Sequence, residues 1–172
     1  MAEVKVSEIS DDGMRLSFQE DPAALELTMP GGRCVAPIAV DVFLRKADQS
    51  VLVNGQMTAP VLFDCVRCLR EFPLSLDIAI ATQFVPPVPL PLGEHPMPLS
   101  EAEDYYYRDD VLALDDLVRE EVLLAVPLNP QCRADCLGLC PQCGQNLNQA
   151  TCACAPQPDH RWSPLRQHVK GL

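Results

Sequence analysis

Apolar and polar residues alternate through the first half of this chain, and the period changes after residue 110. "EVKVSEI" and "MRLSF" are short alternating runs parted by "SDDG", a turn by composition. Cys34 to Ala47 predicts a longer strand with Val40, Val42 and Leu44 on one face. Two further strands follow in "QSVLVNGQMTAPVLFDC" and "EFPLSLDIAIATQF". In the second of these, Phe72, Leu74, Leu76, Ile78 and Ile80 recur at period two, the mark of a half-buried strand. "DQS" and "NG" are the predicted turns. Residues 1–85 therefore predict an antiparallel sheet that can curl toward a barrel, with no internal repeat.

Six prolines between Pro86 and Pro98 cannot fill a ladder or a helix, so residues 86–110 are expected to form an extended connector. Its acidic second half, "SEAEDYYYRDDV", predicts either a loop or an exposed strand at Tyr105 to Tyr107. Residues 111–130 then carry helical spacing. Leu114, Leu117, Val118, Val122 and Ala125 fall on one stripe, Asp115 and Asp116 suit the positive N-terminal end, and Pro127 stops the run. This is read as an amphipathic helix packed on the sheet. A cysteine-rich tail, residues 131–172, closes the chain. The predicted class is α+β, one compact domain with an N-terminal antiparallel sheet, one main helix and a C-terminal zinc knuckle.

Composition agrees with a folded protein of this size, since 48% of the 172 residues are hydrophobic. Charge adds more. The formal net charge is −11, and residues 94–121 hold ten acids against Arg108 and Arg119. Such a surface repels phosphate backbones and favours basic partners. Glu101, Glu103, Asp104, Asp109 and Asp110 are the candidate acidic partner surface. The last residues reverse the sign, with Arg161, Arg166 and Lys170 as a candidate nucleic-acid contact; three cations would assist binding rather than suffice for it. The N-terminus lacks the pattern of a secretory signal, and no run approaches the roughly 18 apolar residues of a membrane span. The expected location is the bacterial cytoplasm, with no membrane association.

Thiols stay reduced there, so clustered cysteines predict metal ligands or redox groups rather than disulfides. Eight of the nine cysteines are paired: Cys65/Cys68, Cys132/Cys136, Cys140/Cys143 and Cys152/Cys154. In "CPQCG" the glycine allows a tight turn that aims both sulfurs at one ion, and "CAC" eight residues later completes a four-sulfur set. Cys140, Cys143, Cys152 and Cys154 are thus the main candidate zinc site. Cys65, Cys68, Cys132 and Cys136 are a candidate second site if the chain folds back, and exchange of Cys132 or Cys136 into the first site remains open. Cys34 stands apart, in the role of a small buried hydrophobe. His95, His160 and His168 are not at ligand spacing, and four sulfurs leave no position for a reacting water, so a catalytic zinc is not expected. Nor is a small-molecule substrate: no phosphate loop or nucleophile elbow occurs. Two other readings stand beside a non-enzymatic role. One is a thiol-disulfide oxidoreductase using Cys65 and Cys68, and the other a zinc-ribbon regulator binding nucleic acid.

The ordered series "CVRCLREF", "DDLVREEVLLAVPLNPQC", "DCLGLCPQCGQNLN", "CAC" and "HRWSPLRQ" resembles the YceD family, the large ribosomal RNA subunit accumulation proteins. The resemblance runs from about Val61 to the C-terminus. Members usually show "DPR" where this chain has "DHRW" from Asp159 to Trp162, and some lack the C-terminal cysteines. The resemblance implies a part in synthesis, processing or accumulation of large-subunit (23S) ribosomal RNA. The acidic surface adds an expected mode of action, binding a basic large-subunit ribosomal protein, an assembly factor or a pre-50S particle.

Overall fold

The structure is a computed structural model that describes residues 2–87, 105–155 and 161. Among these residues, eight strands and one α-helix follow the order β1 (Glu3–Lys5), β2 (Met14–Glu20), β3 (Gly32–Cys34), β4 (Ile38–Ala47), β5 (Ser50–Asp64), β6 (Glu71–Val85), β7 (Tyr105–Tyr106), β8 (Val111–Ala113) and α1 (Leu114–Ala125). The main sheet runs β2-β4-β5-β6-β7, with β3 beside β5. Its pairings are antiparallel except for β7, which lies parallel to β6 at Phe84↔Tyr105 and Val85↔Tyr106. Among the described residues the sheet is open, and the expected curl into a barrel does not close.

Alternation decides the faces. Ile38, Val40, Val42 and Leu44 of β4 are buried, as are Val51, Val53, Met57, Ala59, Val61 and Phe63 of β5 and Leu76, Ile78 and Ile80 of β6. Leu117, Val118 and Val122 of α1 cover this face, so the helix's apolar stripe and the strands' apolar alternates make one core. Phe72 is only partly buried and Leu74 exposed, because the buried face runs out where β6 leaves the turn that precedes it. Helix α1 ends at Ala125, two residues before Pro127. The predicted helical segment thus divides into β8 and α1.

Three sequence expectations need correction. Asn54-Gly55 is not a turn but the middle of β5, where Gly55 lies opposite Val42 and Ile80. A Cβ there would stand 2.1 Å from the Asp41 carbonyl oxygen, so the glycine serves a close approach of β4 rather than a reversal. The real reversal is Asp48-Gln49, with Asp48 at φ 54°. Cys34 to Ala47 is not one strand: the chain breaks at Val35–Pro37, and β3 and β4 share one edge of β5 in succession. Finally, "EVKVSEI" forms only the three-residue β1 and a 3-10 turn. It joins β8 in a separate two-stranded ribbon, Glu3↔Ala113 to Lys5↔Val111.

Candidate metal centres

Eight cysteine sulfurs gather into two groups of four, Cys65/Cys68/Cys132/Cys136 and Cys140/Cys143/Cys152/Cys154, the sulfurs within each group lying within 4.8 Å of one another. The inner group joins distant parts of the chain. Cys65 and Cys68 sit in the turn between β5 and β6, while Cys132 and Cys136 come from the segment after α1. The outer group is built within the tail alone.

Both groups rest on the same turn. In the first, the Cys65 N–H donates to the Arg70 carbonyl at 2.9 Å and the Leu69 N–H to the Cys65 carbonyl at 2.8 Å. In the second, the Cys140 N–H donates to Gln145 at 2.8 Å and the Gly144 N–H to Cys140 at 2.9 Å. The fifth residue of each turn has positive φ, 72° at Gly144 and 56° at Leu69. This winding leaves the intervening N–H groups directed at the sulfurs.

The tail docks on the first turn through its backbone. The Val66 N–H bonds the Pro130 carbonyl at 3.0 Å, and the Leu139 N–H bonds the Arg67 carbonyl at 3.1 Å. Gly138 is required here twice over: its φ is 77°, and a Cβ would meet the Arg67 oxygen at 3.0 Å.

The geometry and the protonation both suit a soft divalent cation. Four sulfurs about 2.3 Å from a tetrahedral zinc stand roughly 3.8 Å apart along each edge. Cys65 and Cys136 are 3.9 Å apart and Cys68 and Cys132 are 3.7 Å apart. Burial would push the Cys65 thiol up, but the N–H groups of Cys132, Cys68 and Arg67 hold it down to about 6. Burial likewise opposes Cys136, whose value is lowered by the Asn148 amide and the Gly138 N–H. Cys132 moves the other way, to about 11, through burial and the neighbouring sulfurs of Cys68, Cys136 and Cys65. In the outer group the N–H groups of Cys143 and Gln142 bring Cys140 to about 6, while Cys154 is pushed up to about 12 beside Cys143. Each group thus pairs sulfurs favoured as thiolates, Cys65 and Cys136 in the inner group and Cys140 in the outer, with others whose ionisation their neighbours oppose. Zinc would offset that opposition, held by all four thiolates with no position left for water.

The inner sulfurs are poor candidates for thiol exchange with a substrate, since Cys65 is fully buried and Cys68 nearly so. Cys34 is half-buried at the end of β3, where burial raises its thiol.

Two residues escaped the sequence reading. Asn148 donates from Nδ2 to Cys136 Sγ at 3.3 Å, and Arg70 acts on the Cys132 thiol, lowering it against the stronger opposing influences. Neither has a spacing signal, because each reaches its sulfur through the folded chain. Of the acidic candidates, Asp110 accepts from the Ser7 N–H and Oγ, and both Asp109 and Asp110 have positive φ. Glu101, Glu103, Asp104, Arg166 and Lys170 lie outside the described residues, as do His95, His160 and His168; Arg161 is exposed.

The molecule is therefore an open sheet covered by one helix, with two four-cysteine groups that can hold metal ions. The chain belongs to the YceD family: the family described as "Large ribosomal RNA subunit accumulation protein YceD" matches residues 53–167. It is also similar to uncharacterised proteins of Mycobacterium bovis and Mycobacterium tuberculosis, each 31% identical over 132 residues, which is 76% of this chain and 61% of theirs. An uncharacterised Mycobacterium leprae protein is 30% identical over 112 residues, 65% of this chain and 50% of its own length. The chain thus spans about three-fifths of the M. bovis and M. tuberculosis proteins. No solved structure matches it. No helix among the described residues is long and apolar enough to cross a membrane.

Proposed function

We propose that this protein is a non-enzymatic ribosome-biogenesis factor that promotes the synthesis, processing or accumulation of large-subunit ribosomal RNA. Its means is binding a basic large-subunit ribosomal protein, an assembly factor or a pre-50S particle. Family membership over residues 53–167 carries this reading. Supporting it, Asp116, Glu120 and Glu121 add charge to the helix, and the net charge of −11 attracts basic partners. The two metal centres are structural: the inner set of four thiolates holds the tail against the β5–β6 turn, the outer set closes the tail on itself, and zinc is the ion their sulfur chemistry fits.

The test is sedimentation of ribosomal subunits from a strain lacking the gene, with mapping of rRNA ends. The expected result is a deficit of large subunits with large-subunit rRNA precursors or fragments in excess, restored by the intact gene. Normal subunit ratios and normal rRNA ends would overturn the proposal.

A further inference from the structure

Asn148 bonds the inner centre on one side and, on the other, Asn146, the residue by which the chain leaves the outer Cys140 turn. Its Nδ2 donates to Cys136 Sγ at 3.3 Å and to Asn146 Oδ1 at 2.9 Å, while its own N–H reaches that Oδ1 at 3.0 Å. Its Oδ1 accepts from the Leu137 N–H at 2.8 Å and from Arg133 Nη2 at 2.7 Å. One side chain therefore fixes the backbone next to Cys136, the Arg133 side chain beside Cys132, and the Cys136 sulfur itself.

Asn148 follows directly on the hairpin that carries the outer Cys140 turn. The chain enters the Cys140 turn through Leu139 and leaves it through Asn146, and these two residues form a β-bridge. The Leu147 N–H closes on the Gly138 carbonyl at 2.9 Å. Binding an ion at Cys140, Cys143, Cys152 and Cys154 would draw this small hairpin shut and set Asn146 and Asn148 in place.

We infer that Asn148 is a positioning residue for the inner centre, and that through it an ion at the outer centre strengthens binding at the inner one. A donor to a bound thiolate disperses its charge and fixes its direction, and losing such an outer partner typically costs about 10–100-fold in metal affinity. By linkage the inner ion must strengthen the outer centre by the same factor.

The inference rests on the reading of both clusters as metal centres, and cadmium-113 NMR of the reduced full chain separates the two ideas. Two tetrathiolate resonances are expected, the inner one identified by its loss in Cys132→Ser, and competition with a chelator reads each affinity. Asn148→Asp keeps an acceptor for Leu137 and Arg133 but removes the donor to sulfur. It should shift the inner resonance and weaken the inner centre about tenfold or more. A bracing role alone would leave that resonance where it was. Disabling the outer centre with Cys143→Ser and Cys154→Ser should also weaken the inner one in the wild-type background, and do so much less in Asn148→Asp. Fewer than two ions per wild-type chain overturns the metal reading and this inference with it. Two ions, with an inner centre indifferent to Asn148→Asp or to loss of the outer centre, overturns the inference alone.

Discussion

At the scale of single residues, Glu20 has the least expected environment. It is the one buried charged residue among those described, only 6% exposed at the end of β2. Burial raises its carboxyl above the ordinary range, and the negative charge of Asp115 raises it further. Asp115 Oδ1 already accepts the Ala2 N–H at 2.6 Å, at the positive end of α1. Because the folded value lies above the unfolded one, the folded state binds the proton more tightly. Glu20 therefore favours folding below about pH 4.5, and that contribution is lost as pH rises through the elevated folded value. Glu20→Gln keeps the shape and offers Asp115 a donor in place of a second acid. Its melting temperature should exceed the wild type's at pH 7, and the gap should narrow as pH falls through the elevated folded value toward the ordinary carboxylate range. The Ala2 N–H works the other way, favouring the carboxylate, and a variant that melts lower at pH 7 would show that this bond outweighs burial and Asp115. Nothing in the sequence marks Glu20, since an acid closing an alternating strand reads as the exposed end of that strand.

At the scale of elements, the two cysteine turns show how one backbone shape tolerates different sequences. Gly144 takes φ 72° at no steric expense, whereas Leu69 takes φ 56° with a Cβ that opposes it. Leu69 is 67% exposed, so its side chain regains little by packing. Leu69→Gly should relieve about 1 kcal/mol of strain, part of which is offset by the greater freedom of glycine in the unfolded chain. Thermal unfolding of the zinc-loaded protein should therefore move up by a degree or more. A downward shift would mean that Leu69 packs more than its exposure suggests. This element also marks the limit of what the sequence discloses. "CPQCG" announces its turn through proline and glycine, but "CVRCL" shows only the cysteine spacing. The strands divide the same way. Alternation identified the buried faces of β4 and β6, because burial acts on each residue where it stands. "NG" misled because a glycine needed for a close approach to Asp41 looks the same, in one dimension, as a glycine needed for a turn. The break at Val35–Pro37 was equally hidden, since β3 and β4 continue along one edge of β5 and β4 keeps its apolar alternates.

At the scale of the whole molecule, the inner centre is the tie between two parts that are stabilised differently. The sheet and α1 share a core that includes Phe63, Phe84, Met57, Leu114 and Leu117, with no cysteine ligand among its fully buried members. The inner sulfurs form a separate small cluster with Phe72 and Leu139 at its border. Beyond Pro130 the described residues of the tail hold no α-helix and no named strand, and are shaped by turns, bridges and the two sulfur groups. If its sulfur groups hold metal as proposed, a segment with so little apolar burial would depend on that metal for its order. Removing zinc with a chelator should therefore release the tail and leave the sheet folded. Limited trypsin digestion is expected to cut the metal-free chain rapidly at the exposed Arg133, and readdition of zinc should restore protection. The fragment holding the sheet and helix should persist and keep its β-type circular dichroism. If the entire chain were instead degraded at one rate, the inner centre would belong to the cooperative core. The family role would then require metal for folding as such, and a zinc-deprived cell would lose the protein altogether. With a separable tail, metal loss would instead leave an acidic sheet-and-helix body that has lost one part of its surface. Partner binding before and after chelation then tells which part carries the recognition.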